Sequence, residues 1–235
     1  MMAFLKISAT ILATLITSLV AFVVIPFDRS GKTYHSAARQ WARVVLWIFS
    51  IKVTTKGLEH IDRSKHYVYV SNHASLFDIP AIFAAIPDDV RIILKKELTR
   101  VPIWGWSLKW GPYISIDRDN AKDAMGSIDR AVETIRNGAS VLVFAEGTRS
   151  KDGKLQPFKR GAFALAARSG VPIIPVTINN SFAILPKGTF SVRPADIEIV
   201  MDKPIESAGT SGKESELKLM EQVHAILEKN FVENT

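Results

Sequence analysis

The chain has 235 residues, which is enough for one substantial domain with a small appendage. It contains no cysteine, which excludes disulfides, thiolate metal sites and a cysteine nucleophile, and its 47% hydrophobic and 23% charged residues exclude a disordered protein. The net charge of +7 favours an anionic partner, which can be nucleic acid, anionic lipid or a phosphorylated substrate.

An uncharged run from Ile7 to Pro26 lies near the start of the chain. A helix of about 20 residues is about 30 Å long, which is the thickness of a hydrocarbon core. The run lacks the small-x-small cleavage site of a secretory signal peptide. It is therefore expected to span a membrane, to dip in and return, or to be a buried core helix. A returning path is an alternative because a second apolar run follows, Val44 to Phe49, which is too short to span.

Positive charges follow the first apolar run. Only Lys6 and the terminal amine precede it, whereas four basic residues lie between the two runs: Arg29, Lys32, Arg39 and Arg43. The positive-inside bias therefore predicts that everything after residue 27 faces the cytoplasm. We predict a helical membrane-associating segment at 1–56 and a larger domain at 57–235, and we favour lipid over nucleic acid as the anionic partner.

After residue 56 the pattern changes to short strands that alternate with amphipathic helices. Helices are predicted at 120–137, 158–169 and 214–231, where apolar residues recur at helical spacing. Strands are predicted at 52–55, 67–70, 91–94, 113–116, 140–144, 173–178 and 197–201. Pro172 and Pro175 restrict the strand at 173–178 to a sheet edge or a bulge. The alternation predicts an α/β fold with a mostly parallel sheet covered by helices on both faces and an active site at the carboxyl ends of the strands.

The segment 72–78, Asn-His-Ala-Ser-Leu-Phe-Asp, follows one of these strands. It places His73 five residues before Asp78. An imidazole can take a proton from a hydroxyl near neutral pH, and a carboxylate on its other ring nitrogen would fix the tautomer. Since five residues do not return to the same face of a helix, we expect His73 in a turn and Asp78 in the first turn of the next helix.

Three other predicted strands are followed by basic residues. Arg149 follows the strand at 140–144, in a segment where Gly147 permits a tight turn whose N–H groups can face an anion. Arg118 follows the strand at 113–116, and Lys95 follows the strand at 91–94. Together with His73 they predict an anion pocket beside a general base. That arrangement suits the transfer of a group onto a hydroxyl of a phosphorylated acceptor.

Four sequence blocks occur in order: Asn-His-x4-Asp at 72–78, Ile-Asp-Arg at 116–118, Phe-x-Glu-Gly-Thr-Arg-Ser at 144–150 and Val-Pro-Ile-x-Pro-Val at 171–176. Their order and spacing resemble the glycerolipid acyltransferase family, and the closest type is the 1-acyl-glycerol-3-phosphate acyltransferases. Lys-Lys-Glu-Leu at 95–98, Phe-Lys at 158–159 and Pro-Lys-Gly at 186–188 add to the match. Ala145 departs from it, because the family usually has proline there.

The resemblance implies a glycerol-3-phosphate acyltransferase-like catalytic domain at 57–235 that needs no metal or cofactor. It implies transfer of an acyl chain from acyl-CoA or acyl carrier protein to the sn-2 hydroxyl of 1-acyl-glycerol-3-phosphate, giving phosphatidic acid. His73 would be the general base, oriented by Asp78, and Pro172 belongs to the block on the acyl-donor side. Substrate-binding roles are implied for Lys95, Arg118, Glu146, Gly147, Thr148, Arg149 and Lys159. The expected location is the cytoplasmic face of a membrane, the inner or plasma membrane in a bacterium.

Several alternatives stay open. The acceptor can instead be glycerol-3-phosphate or another lysolipid, such as a lyso-aminolipid. A hydrolase or thioesterase would need a Gly-x-Ser-x-Gly turn, and the segment 105–109, Gly-Trp-Ser-Leu-Lys, lacks the second glycine. A non-catalytic lipid-binding protein would not need His73 and Asp78. No metal site is expected, because the remaining histidines are scattered along the chain.

Overall fold

The computed structural model describes residues 2–117, 121–189, 191–209 and 212–232. Within these ranges the chain forms eight α-helices and one sheet of seven strands. The helices are α1 (Met2–Val24), α2 (Lys32–Phe49), α3 (Asp78–Ala85), α4 (Trp104–Trp110), α5 (Ala121–Arg136), α6 (Gly161–Ser169), α7 (Ser181–Ile184) and α8 (Lys213–Asn230). The strands are β1 (Val53–Lys56), β2 (Val68–Ser71), β3 (Val90–Lys95), β4 (Ile114–Ile116), β5 (Ser140–Phe144), β6 (Ile173–Asn179) and β7 (Ile197–Met201).

The sheet is mostly parallel and has the strand order β1-β7-β6-β2-β5-β3-β4. Only β6 and β7 pair antiparallel among the described strands. The strands β6, β2, β5, β3 and β4 therefore run in one direction, and their carboxyl ends share one edge of the sheet. This topology confirms the predicted fold class and brings the segments after β2 and β5 side by side.

Two hydrophobic clusters cover the two faces of the sheet. In β2, Tyr69 packs in the cluster with α2 and α3, whereas Val68 and Val70 pack in the cluster with α5, α6 and α8. In β5, Leu142 packs in the cluster with α2 and α3, and Val141 packs in the cluster with α5, α6 and α8. Successive strand residues point to opposite faces, so a strand that is covered on both sides is apolar throughout.

The predicted strands are all present, and β5 and β7 have the predicted bounds. The prolines do not place β6 at an edge, because β6 lies between β7 and β2. They lie instead beside a bulge, the other position that the sequence allowed. Val176 pairs with Met201, but an isolated bridge joins Ile173 to Ile205. Two residues of β6, 174 and 175, thus lie opposite three residues of the segment after β7, 202 to 204.

α1 and α2 form an antiparallel pair with contacts along its length. Lys6 Nζ lies 5.8 Å from the centre of the Phe49 ring, and Trp41 Nε1 donates a hydrogen bond to Thr14 Oγ1 at 2.9 Å. The other side of α1 is exposed: an apolar window within residues 3–24 has a mean hydropathy of 2.3 and is 11% buried. By length and composition it is the one helix of the described chain that can cross a membrane. Its exposure contradicts the expectation of a buried core helix.

α2 belongs to the packed body of the protein. Its residues Ala42, Val45 and Phe49 are buried in the same cluster as Phe77 and Ile82 around α3. The chain therefore links an exposed helix, a half-covered helix and the sheet in succession. The division into segments at residue 56 stays a prediction.

Asn72 joins two strands beyond the point where β2 ends. Its side-chain amide donates to the carbonyl of Ile178 at 2.9 Å, and its Oδ1 accepts the Ile178 N–H at 2.8 Å. Asn72→Ala would leave both buried backbone groups unpaired, so we expect a loss of about 2–4 kcal/mol in the free energy of unfolding. Urea denaturation measures the loss. Asn137→Ala, at an exposed amide directly after α5, is the control. Equal stability of the two variants would contradict the proposed bridge.

Candidate active site

The turn after β2 is organised by one carboxylate oxygen. Asp78 is fully buried at the start of α3, and its Oδ2 accepts the N–H groups of Ala74 and Ser75, each at 2.8 Å. The same oxygen lies 2.7 Å from Nδ1 of His73. A carboxylate at Nδ1 favours the tautomer with its proton there, which leaves Nε2 as the basic nitrogen. His73 thus lies in the turn and Asp78 in the first helical turn, as the spacing predicted.

The His73 ring is held flat against a second aromatic ring. It stacks on Phe144, the last residue of β5, with a distance of 4.0 Å between ring centres and an angle of 16° between planes. Its side chain is 15% exposed, and no described residue bonds Nε2. The ring is therefore fixed at Nδ1 and on one face while Nε2 is available to a substrate. Phe144 was not predicted as a site residue, because from sequence it is only the last apolar residue of a strand.

The loop after β5 is bonded to the turn that carries His73. Glu146 Oε1 accepts the backbone N–H of His73 at 3.3 Å, and the N–H of Ser150 donates to the His73 carbonyl at 2.8 Å. These bonds continue the pairing of β2 with β5, in which Ser71 is opposite Phe144. The predicted segments 72–78 and 144–150 are therefore one structural unit.

Glu146 is buried within this unit, with 4% of its surface exposed. Burial raises the pKa of its carboxyl to about 8, although the N–H groups of His73 and Gln156 oppose the shift. The negative charge of Asp78 adds to the increase. Its Oε2 has no hydrogen-bond partner among the described residues. Burial therefore favours the protonated carboxyl, which shapes the loop without adding full negative charge beside its basic residues.

Basic side chains surround the rest of this loop. Lys187 Nζ donates to Thr148 Oγ1 at 3.0 Å and to the carbonyl of Arg149 at 3.2 Å. Gly147 has a φ of 73°, and a Cβ there would come within 3.0 Å of the Lys159 side chain. The structure thus brings Gly147, Thr148, Arg149 and Lys159 together near His73. Lys187 was missed as a site residue, and its only signal was the Pro-Lys-Gly segment noted in the resemblance.

Three predicted site residues are not joined to this cluster. Lys95 ends β3 and forms an ion pair with Glu97 at 3.1 Å. Pro172 precedes β6, where its carbonyl accepts the N–H of Val68 at 3.1 Å, so it lies at the opposite end of the strands from His73. Arg118 lies outside the described residues. The binding roles of these three residues stay predictions.

A large apolar cavity of about 640 Å³ adjoins the polar cluster. Arg149 and Leu76 line it together with side chains from α1, α2, α3, α4 and β3. Four hydroxyl residues of α1 also line it, and three of them, Thr10, Thr14 and Ser18, donate to the carbonyl four residues earlier. The hydroxyls of these three are therefore satisfied within the helix. The cavity was not predicted, because its walls come from elements far apart in the chain.

A family model described as Acyltransferase matches residues 52–179. A chloroplastic 1-acyl-sn-glycerol-3-phosphate acyltransferase from Brassica napus is 35% identical over 202 residues, which are 85% of this chain and 58% of that protein. The 1-acyl-sn-glycerol-3-phosphate acyltransferase of Pseudomonas aeruginosa is 28% identical over 91% of this chain and 83% of its own length. The plant relatives are longer, and the chain spans 57% of the Arabidopsis thaliana protein LPAT1.

A solved structure has the same fold. The crystal structure of the 1-acyl-sn-glycerophosphate (LPA) acyltransferase PlsC from Thermotoga maritima matches with a TM-score of 0.73 and 26% identity. The match covers 96% of this chain and 95% of that one, so it includes the N-terminal helices.

Glu146→Gln is expected to change how stability depends on pH. The carboxyl titrates near 4.5 in the unfolded chain and at about 8 in the folded protein. The contribution of this carboxyl to the free energy of unfolding is complete below the unfolded-state pKa. It is lost as pH rises from there toward 8, because only the unfolded state releases the proton between the two pKa values. Relative to the Gln variant, the wild type should lose about 1.4 kcal/mol of unfolding free energy per pH unit across it. Urea denaturation at several pH values measures this, with the exposed Glu221→Gln as control. If the free energies of unfolding of the wild type and the Gln variant differed by the same amount at every pH, the raised pKa of Glu146 would be contradicted.

Proposed function

The chain belongs to the acyltransferase family, and we propose that it transfers an acyl chain from a thioester to the sn-2 hydroxyl of 1-acyl-glycerol-3-phosphate, giving phosphatidic acid. The observation that carries this proposal is the junction of the His73 turn with the apolar cavity, with Arg149 lining it. A lysolipid acceptor has the same three parts: a hydroxyl, a phosphate and an acyl chain. The relatives are named as 1-acyl-sn-glycerol-3-phosphate acyltransferases, which supports the same acceptor.

In the proposed step, His73 Nε2 accepts the proton of the acceptor hydroxyl as its oxygen attacks the thioester carbonyl. A carbon–oxygen bond forms, and the tetrahedral intermediate then expels the thiolate as the carbon–sulfur bond breaks. The imidazolium returns the proton to the thiolate. Asp78 stabilises the imidazolium through Nδ1, 2.7 Å away, and keeps the ring in place. An alcohol is a weak nucleophile at neutral pH, so a positioned base contributes a factor of about 10²–10⁴.

Arg149 is the proposed ligand of the acceptor phosphate. Its guanidinium can bind two phosphate oxygens at once, and no described carboxylate lies within 4.0 Å to neutralise it. Lys187 holds the Arg149 backbone and adds positive charge to the same loop. Binding the phosphate away from the reacting atoms supplies energy that orients the hydroxyl toward His73.

The apolar cavity is the proposed site for an acyl chain. Its volume lies within the usual range of about 300–1,000 Å³ for ligand pockets, and its wall is almost entirely apolar. Acyl-CoA and acyl carrier protein present the same thioester carbon, so either donor fits the proposed step. Glycerol-3-phosphate has no acyl chain, so the cavity would hold one acyl chain fewer than with 1-acyl-glycerol-3-phosphate. A lyso-aminolipid would not use Arg149.

We propose that the N-terminal helices lie against one leaflet of a membrane and do not span it. α1 is bound to the body of the protein from Lys6, over Phe49, to Phe22, which packs on Trp110 of α4 at 5.6 Å. A helix held along this length cannot cross a bilayer while the sheet stays in water. Phe27, just after α1, is 86% exposed, and Trp47, near the end of α2, is 80% exposed. Exposed aromatic residues of this kind suit a membrane interface. The basic segment from Arg29 to Arg43 supports the cytoplasmic face.

Replacing His73 tests the proposed base. His73→Ala and His73→Asn should lower kcat by a factor of about 10²–10⁴ with an acyl-CoA donor and lysophosphatidic acid. Asn can still donate a hydrogen bond toward Asp78, so this variant separates the loss of the base from the loss of the turn. His224→Ala, on the surface of α8, is the matched control. Full activity in a folded His73 variant would exclude acyl transfer by this mechanism, and release of free fatty acid by the wild type would favour a hydrolase.

Replacing Arg149 tests the phosphate site. Arg149→Ala should raise the KM for lysophosphatidic acid by about 10–100-fold, the range expected for a lost charged hydrogen bond, with a smaller effect on the KM for the donor. Arg193→Ala removes an exposed arginine elsewhere and is the control. An unchanged acceptor KM would assign the phosphate to other residues. An unchanged KM together with activity on a lyso-aminolipid would favour that acceptor.

A further inference from the structure

A second cavity lies on the flank of α2, away from the active site. It has a volume of about 320 Å³ and lies between α2 and the loop that joins α3 to β3. This loop, with Asp88 and Asp89, leads into the amino end of β3. His73 is at the carboxyl end of the parallel strand β2, so the cavity opens at the opposite edge of the sheet. It is therefore separate from the acceptor site proposed above.

The α2 wall of the cavity is a stripe of basic and polar side chains. Lys32, Ser36, Arg39 and Arg43 recur at intervals of four, three and four residues, which places them on one flank of the helix. The face toward α1 carries Trp41, whose indole bonds Thr14. The basic stripe is thus on the side of α2 that faces away from α1 and toward the cavity.

The acidic residues of the cavity form their hydrogen bonds and ion pair elsewhere, and they offset the charge of this stripe only in part. Asp88 accepts hydrogen bonds from the hydroxyls of Tyr69 and Ser140, and Asp89 is paired with the buried Arg91. Within the described ranges, Lys32, Arg39 and Arg43 form no ion pair. Partial burial lowers the pKa of Arg39, and the positive charges of Arg43 and Arg63 lower it further. The negative charges of Asp88 and Asp89 oppose that decrease, but neither carboxylate forms an ion pair with Lys32, Arg39 or Arg43, so the concave surface keeps an excess of positive charge.

A buried histidine in the same cavity wall provides one more donor. His35 is 3% exposed, and burial beside Arg91 and Arg39 lowers its pKa to about 3, so the ring is neutral at pH 7. Its Nε2 accepts the N–H of Val90 at 3.4 Å, which leaves the proton on Nδ1. That Nδ1 has no partner among the described residues. A buried ring nitrogen without a described hydrogen-bond partner calls for an explanation, and an anion bound beside these cations would supply one.

We propose that this cavity binds the phosphate of an anionic lipid headgroup at the membrane surface. A membrane source is favoured over a soluble phosphate, because the stripe lies on a helix whose exposed end carries Trp47 and whose partner α1 exposes an apolar face. Arginine side chains on such a flank can reach headgroups while their stems lie on apolar surface.

The proposed contact would also orient the catalytic end of the protein. α2 is about 27 Å long and runs from the basic cavity to Phe49, which packs edge-on against Phe77, the residue before Asp78. Headgroup binding at one end and aromatic contact at the other would lay the helix along the surface. The mouth of the active site would then face the leaflet that holds its acceptor.

Vesicle flotation of the full chain, without donor or acceptor, tests the site independently of acyl transfer. Vesicles of phosphatidylcholine are compared with vesicles containing about 30% phosphatidylglycerol. The wild type should bind the anionic vesicles more tightly, and Arg39→Gln with Arg43→Gln should reduce that preference about tenfold or more. Lys32→Gln with Arg43→Gln, both at exposed positions, keeps the test valid if the first pair does not fold. Arg136→Gln with Lys229→Gln removes two charges elsewhere and should change the preference less than about twofold.

Two results would overturn the proposal. An equal loss in the control pair would mean diffuse attraction of a basic protein, with no defined site. Thermal stabilisation of the wild type by inorganic phosphate beyond that by chloride at equal ionic strength, with vesicle preference unchanged in the cavity variants, would assign the cavity to a soluble anion. Loss of vesicle preference in the cavity variants with normal activity in neutral detergent micelles would support the lipid site.

Discussion

The Asp78 carboxylate oxygen that accepts three donors is the constraint on which the rest of the site depends. Asp78 has no exposed surface, and a buried carboxylate is tolerated only where hydrogen bonds or opposite charge compensate for lost water. The N–H groups of Ala74 and Ser75 and the His73 ring supply that compensation at Oδ2, and the start of α3 adds a favourable dipole. The same bonds set the beginning of α3 and the direction of the imidazole. A change at Asp78 would therefore alter both the start of α3 and the orientation of the His73 ring.

Around the turn, polar and apolar surfaces meet in the manner that an amphipathic substrate requires. The parallel strands bring the loop of Glu146 to Ser150 onto His73, and α1 and α2 close one side of the cavity that Arg149 lines. The N-terminal helices are thus walls of the proposed binding site as well as the proposed surface for membrane contact. In this account, a lysolipid leaves the leaflet and enters the cavity without its acyl chain crossing water.

Much of this arrangement was predictable from sequence, for identifiable reasons. Continuous apolar runs predicted the buried strands, and β5 has the predicted bounds because Gly138 and the polar segment after Phe144 limit it on both sides. The spacing of His73 and Asp78 predicted their placement, because five residues do not return to one face of a helix, whereas a turn followed by a helix start can bring them together. Position along the chain does not reveal which side chains close a cavity, so Phe144, Lys187 and the apolar pocket were missed. The prolines of β6 allowed two positions, and only pairing with β7 selected the bulge over the edge.

The most direct test of the central claim is nitrogen NMR of the His73 imidazole in protein labelled at histidine, with His73→Asn used to assign its signals. The account predicts the tautomer that carries its proton on Nδ1, a strongly deshielded Nδ1–H signal, and loss of that signal in Asp78→Asn. A neutral ring protonated at Nε2, or a spectrum unchanged in Asp78→Asn, would show that the carboxylate does not hold the imidazole. The proposed general base would then have to be abandoned.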